Sequence, residues 1–231
     1  MPDTGKTSDE KVIIVQPDGP YLVKGGIPLV EKIQVVTEHG EPLTWKKVRT
    51  FPVKPSYILC RCGQSKTMPF CDGSHRRTGF DGTETADERP TAERQQEFPG
   101  GVQIYVRHDD YLCMESGFCG TRWSTMEQLV RNSENTDVRS QVIAMVERCP
   151  SGSLVYGLSG EEGDIEPDLP QSIAFTTDVL SSGPVRGAYW VTGYIPIRRA
   201  DGKLFEIRNR VTLCSCGRSR KKPLCDGTHR T

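Results

Sequence analysis

The chain has 231 residues, 30 Lys and Arg against 30 Asp and Glu, and a mean hydropathy of −0.50; this length allows one large domain or two to three small ones. Balanced charge leaves no electrostatic footprint for nucleic acid, and no apolar stretch approaches the roughly 20 residues of a membrane span. Residues 1–10 are polar and acidic, without the basic-then-apolar order of a secretory signal, and nine cysteines are an odd number for a disulfide scaffold, so a cytoplasmic protein with reduced thiols is expected.

In chain order, short apolar runs at 12–15, 21–23 and 33–36, broken by Gly and Pro, predict short strands. Residues 19–29 (GPYLVKGGIPL) return at 187–197 as GAYWVTGYIPI, an internal repeat. The first copy leads into Cys60-Arg-Cys62 and then Pro69-Phe-Cys71-Asp72-Gly73-Ser74-His75. Residues 76–97 are charged and rich in Thr, Glu and Arg, which predicts a linker or surface crossing. Alternating Val102, Ile104 and Val106 predict a strand over 101–107. Ser124 and Glu127 form a capping-box pattern opening a helix to about Arg131. Asp137 is the expected cap of a second helix, with Val138, Val142, Met145 and Val146 along one face. That helix runs into Cys149-Pro150, a strand at 153–158 follows, and 161–168 is an acidic loop. After the second leader, Asp201-Gly202 signals a turn and 204–207 a strand. The chain ends with Cys214-Ser-Cys216 and Pro223-Leu-Cys225-Asp226-Gly227-Thr228-His229.

The two cysteine motifs share one spacing: two cysteines one residue apart, a third nine later, a histidine four after that. Three thiolates and an imidazole so repeated point to metal binding. A structural Cys3His zinc knuckle is the alternative, but zinc sites usually space paired ligands by about two to four residues. Asp72 and Asp226 are placed to cap a short helix that would aim N–H groups at an anionic cluster, and Gly73 and Gly227 to let backbone approach it. Arg218, Arg220, Lys221 and Lys222 form a basic rim on the second loop, read as a solvated surface or a dock for an acidic redox partner.

Both motifs resemble the CDGSH iron–sulfur (mitoNEET-like) family. Ser65 and Ser219 fill its hydroxyl position, Pro69 and Pro223 its proline, Ser74 and Thr228 its variable position. The resemblance implies a [2Fe–2S] cluster at each site, held by Cys60, Cys62, Cys71 and His75 in the first and by Cys214, Cys216, Cys225 and His229 in the second. In that family two chains pair through a shared β cap; with both motifs in one chain, an intramolecular pseudo-dimer within a monomer is expected. The chain departs from the family in having no membrane anchor and a central insert of about a hundred residues.

The insert has its own cysteines. Bacterial ferredoxins use C-x2-C-x2-C and a remote Cys-Pro; here Cys113 and Cys119 keep the first and third positions, Ser116 stands at the second, and Cys149-Pro150 supplies the remote one. This resembles a divergent mono-cluster ferredoxin domain. It implies a [3Fe–4S] cluster, or a [4Fe–4S] cluster with Ser116, Glu115, His108 or solvent as fourth ligand; three buried structural thiols, or a site that has lost its metal, are the alternatives. His39 and His108 are otherwise expected at the surface.

The expected fold class is α+β: β-rich CDGSH modules at 11–80 and 182–231 around a ferredoxin-like domain at 98–160. No Gly-rich phosphate loop or hydrolytic triad is present in the sequence, so the chain is read as no enzyme. The expected function is electron transfer to an unidentified redox partner. Cluster storage, transfer to an apo-protein acceptor, or redox and pH sensing is the alternative, and a zinc-stabilised interaction module the third.

Overall fold

A computed structural model describes residues 10–160 and 162–231; the expectation that the N-terminus is no secretory signal therefore falls almost wholly outside the described residues, as does Glu161 of the acidic loop. The architecture is β-rich α+β. Its strands are β1 (Val12–Val15), β2 (Tyr21–Lys24), β3 (Leu29–Val36), β4 (Pro42–Phe51), β5 (Ser56–Leu59), β6 (Gln96–Glu97), β7 (Ile104–His108), β8 (Leu154–Leu158), β9 (Ser172–Leu180), β10 (Gly183–Thr192), β11 (Ile197–Arg198) and β12 (Arg210–Leu213). Two α-helices, α1 (Met126–Arg131) and α2 (Thr136–Arg148), lie between β7 and β8. Among the described residues no helix is long and apolar enough to cross a membrane.

Two larger sheets frame the molecule, ordered β11-β1-β2-β5 and β12-β10-β9-β3-β4. The first takes β11 from the second half of the chain, and the second takes β3 and β4 from the first half. β11 runs parallel to β1, with Ile197 opposite Ile13, and β3 runs parallel to β9, with Leu29 opposite Ile173. The two tyrosines of the repeat sit at matching registers, Tyr21 opposite Leu59 and Tyr189 opposite Leu213. Their inward faces build one core that includes Ile13, Val23, Leu29, Ile173, Val191 and Leu213. Burial of aliphatic and aromatic faces from both halves holds the sheets together.

The third sheet, β6-β7-β8, packs with α1 and α2 over a separate core of Ile104, Val106, Leu129, Val130, Val142 and Val146. Local details differ from expectation. Val102 is 41 % exposed and precedes the strand, which begins at Ile104. Thr125, one residue later than expected, caps α1 in a reciprocal box with Gln128, and Asn135 rather than Asp137 caps α2 by accepting from the N–H groups of Asp137 and Val138. Leu204 makes a lone bridge to Arg198 and the run 204–207 is no strand; Leu204 and Ile207 face solvent. Segment 76–97 is more than a surface crossing: the N–H groups of Thr85 and Ala86 donate to Lys222 O at 2.8 and 3.0 Å, and Ala86 is buried in the main core.

Candidate metal centres

Each CDGSH motif leaves the end of a strand, β5 or β12, so the first cysteine is held in sheet register. Cys60 N donates to Pro69 O and Cys214 N to Pro223 O, both at 2.8 Å, folding the second half of each motif back over the first. Ser65 Oγ donates to Phe70 O at 2.6 Å and Ser219 Oγ to Leu224 O at 2.7 Å, which pins the same fold-back. The expected helix after each aspartate is a single 3-10 turn, Ser74–Arg76 and Thr228–Arg230. Asp72 Oδ1 accepts from Ser74 N and Oδ2 from Lys66 N, and Asp226 does the same with Thr228 and Arg220. These bonds, the one from Lys66 N foremost, hold the Asp72 carboxyl well below the usual range. The aspartates thus brace the loop; one 3-10 turn is too short for the aligned dipole that was expected of them. Gly73 and Gly227 have φ of 84°, the left-handed region, and at Gly73 it is that angle rather than a close backbone approach that calls for glycine, since an added Cβ would meet no protein atom within 4 Å.

The donors come in pairs. Cys60 and Cys62 Sγ lie 3.7 Å apart, as do Cys214 and Cys216; Cys71 Sγ lies 3.5 Å from His75 Nδ1, as does Cys225 from His229. Among the described residues no three His, Cys, Asp or Glu side chains converge on a point that would hold one metal ion. Paired donors suit a two-metal group better than a single tetrahedral zinc. N–H groups point at the sulfurs: Gly73 N is 3.4 Å from Cys71 Sγ and Gly217 N 3.3 Å from Cys214 Sγ. Burial pushes Cys62 up to about 11 and Cys225 up to about 12, and it raises Cys71. The contact between Cys214 and Cys216 Sγ raises Cys214 and lowers Cys216.

The two motifs touch. A Cβ on Gly63 would lie 2.5 Å from Cys216 O, and one on Gly217 2.8 Å from Cys62 O, so the loops meet at the glycine after each cysteine pair. Tyr21 Oη donates to Cys214 O and Pro223 O, and Tyr189 Oη to Cys60 O and Pro69 O. Each repeat's tyrosine therefore braces the other repeat's loop. Their rings meet edge to face, centroids 5.9 Å apart. Both glycines and both tyrosines recur at matched positions of the repeat, a signal present in the sequence but not one that assigns them to a site.

In the centre, Cys149 is buried, Cys113 half-buried and Cys119 exposed. The three are close enough to feel each other's charge: Cys119, though its residue surface is exposed, is raised by desolvation from the protein atoms around its thiol and then by Cys113 and Cys149. Ser116 is buried, its carbonyl accepting from Gln34 Nε2 at 2.7 Å. Ser151 Oγ, unforeseen, lies 3.5 Å from Cys149 Sγ. His108 stacks on Phe98 and its Nδ1 is 2.9 Å from Asp110 Oδ1, which engages that nitrogen. Glu115 is exposed, and His39 pairs with Glu38 at the surface. Lys221 is no rim residue: Nζ donates to Tyr111 O and, at 2.8 Å, to Cys113 O. Met114 packs with Ala188 and Cys225, so the central cysteine loop lies against the second motif.

Residues 18–76 and 186–230 both match the family model described as the iron-binding zinc finger of CDGSH type. Neither the curated proteins nor the solved structures yield a match to the chain. Two stretches of the chain thus match the CDGSH-type iron-binding family, around a middle segment that the family model does not cover.

Proposed function

We propose that the chain binds one [2Fe–2S] cluster at each CDGSH region, through Cys60, Cys62, Cys71 and His75 and through Cys214, Cys216, Cys225 and His229, and serves in one-electron transfer rather than as an enzyme. In the same reading Cys113, Cys119 and Cys149 hold a [3Fe–4S] or [4Fe–4S] cluster in a ferredoxin-like insert, and the two repeats form an intramolecular pseudo-dimer. The observation that carries the reading is the pairing of donors, two pairs per motif. A diiron cluster takes two protein donors on each iron, whereas structural zinc takes four on one.

Bound clusters supply one-electron redox chemistry. The chain's own residues supply anchoring thiolates, N–H groups that favour negative charge on sulfur, and short separations. The contact of Gly63 with Cys216 and the packing of Met114 on Cys225 support a compact series from the central thiols to the second motif and on to the first. The exchanged strands and reciprocal tyrosines support the pseudo-dimer. The cluster-carrier reading is favoured by one observation, the half-buried His75, whose Nε2 makes no hydrogen bond to another described residue.

Protein purified without oxygen should be red-brown and contain acid-labile sulfide, with a paramagnetic signal of [3Fe–4S] type that appears on mild oxidation. Zinc without sulfide refutes the assignment, and stoichiometric zinc at Cys113, Cys119 and Cys149 refutes the third cluster. Reduction of an intact ferredoxin without cluster loss supports electron transfer; loading of an apo-ferredoxin at the same rate favours the carrier.

A further inference from the structure

The two CDGSH sites differ at the histidine. His229 is 3 % exposed at its side chain, and its Nε2 lies 2.9 Å from Oδ2 of Asp178, which is fully buried. Arg230 Nη1 reaches the same oxygen at 2.7 Å, while Oδ1 has no partner among the described residues. A fully buried carboxylate with one oxygen unpaired is destabilising by itself, so packing does not account for it. Nε2 faces Asp178 and Nδ1 faces Cys225 Sγ, so the two ring nitrogens have opposite jobs. A carboxylate accepting from Nε2–H keeps the proton there and leaves the Nδ1 lone pair free for a metal, the arrangement by which outer partners orient histidine ligands.

Among the described residues the first site has no such partner, and the reason is topological. In the first repeat β1 and β2 stop pairing at Val15 and Tyr21, and a five-residue turn closes them. In the second the matching pair is Phe175 and Tyr189, but β9 and β10 continue, through an irregularity between Arg186 and Tyr189, to Leu180 and Gly183. Asp178 stands in that extension. The aspartate in the shorter turn, Asp18, accepts from Gly82 N instead.

We propose that Asp178 is a positioning residue for His229, fixing its tautomer and orientation, and that the longer hairpin thereby makes the two sites unequal: the second retains its cluster and the first is the exchangeable one. This rests on the reading of a cluster at each CDGSH region.

The test is a challenge of the anaerobically purified holo-protein with an iron chelator at fixed pH and salt, followed by visible absorbance. Native protein should release iron from the CDGSH sites in two phases, and Cys71→Ser should abolish the fast one. Asp178→Ala should quicken the slow phase about 10- to 100-fold and leave the fast phase unchanged. Asp178→Asn, which keeps an acceptor oxygen but loses the charge, should give an intermediate rate and raise the midpoint potential of the second site, a shift that a merely structural role would not produce. The Asn variant carries the test if the Ala variant fails to fold. Equal release from two filled sites overturns the proposal alone, as does a slow phase or potential that ignores Asp178, or variants that quicken both phases alike. Absence of iron and sulfide overturns the two-cluster reading and this proposal together.

Discussion

Arg61 stands between Cys60 and Cys62 and is 1 % exposed. Its Nη2 donates to Gly82 O at 2.6 Å and Nη1 to Gln16 O at 3.3 Å, and the guanidinium lies 5.7 Å from the ring centroids of Tyr21 and Phe80. Arg61→Ala strips two carbonyls of a charged donor, at about 1.5–3 kcal/mol for such a bond. The holo-protein should melt roughly 3–12 °C lower. Ser215, at the matching position, makes one bond to Gly187 O, and Ser215→Ala should cost only about 1 kcal/mol. Equal melting shifts for the two variants would refute this difference. The thiols make a second prediction. Cys62 and Cys71 at the first site, and Cys214 and Cys225 at the second, are raised above the ordinary thiol value. Protonated in the metal-free protein at neutral pH, they must release their protons to bind iron. Iron affinity therefore rises with pH and is lost as pH falls, by about a hundredfold per unit at each site for two protons. Chelator-competed iron occupancy between pH 6 and 8 measures the slope; a flat profile means these thiols are not ligands.

At the level of elements, Arg210 joins the middle segment to the second motif. It is fully buried; Nη1 donates to Glu147 O at 2.7 Å, Nη2 to Leu154 O at 2.9 Å, and Nε is 3.2 Å from Glu166 Oε2. It thus ties the last turn of α2, which delivers Cys149, to β12, which enters Cys214. Arg210→Met strips the carbonyls of Glu147 and Leu154 of a charged donor and should destabilise by about 1.5–3 kcal/mol for each bond, with the middle segment unfolding in a separate earlier transition. A single unshifted transition would sink that view. The pairing of cysteines and histidines within each CDGSH motif was legible because the motif is local and occurs twice, β1, β2, β3 and β8 because they are short apolar runs, and α2 because its apolar residues keep helical spacing. β4 was not, since nine of its ten residues are partly or fully exposed and carry no alternation. The cap of α2 was misplaced because Ser133, Asn135 and Asp137 are all capping types, and only the backbone selects Asn135. Asp178 lies 51 residues before His229, and strand pairing alone brings them together.

For the whole molecule, the consequential contacts are those that cross between repeats. If the two halves act as a pseudo-dimer, each site depends on the opposite repeat more than its own leader strand. Tyr21→Phe keeps the ring in the core and removes only the hydroxyl that donates to Cys214 O and Pro223 O; Tyr189→Phe does the same to Cys60 O and Pro69 O. Each buried bond is worth about 0.5–1.5 kcal/mol, and the carbonyls left behind are costly to leave unpaired. The effect should therefore appear across the repeat. In a Cys71→Ser background, where the second site is the CDGSH site left intact, Tyr21→Phe should quicken iron release to a chelator about tenfold, the equivalent of about 1.4 kcal/mol, while Tyr189→Phe should change it little. In a Cys225→Ser background the two tyrosines should exchange roles. Should each tyrosine instead govern the site of its own repeat, the halves are independent modules and the pseudo-dimer reading fails.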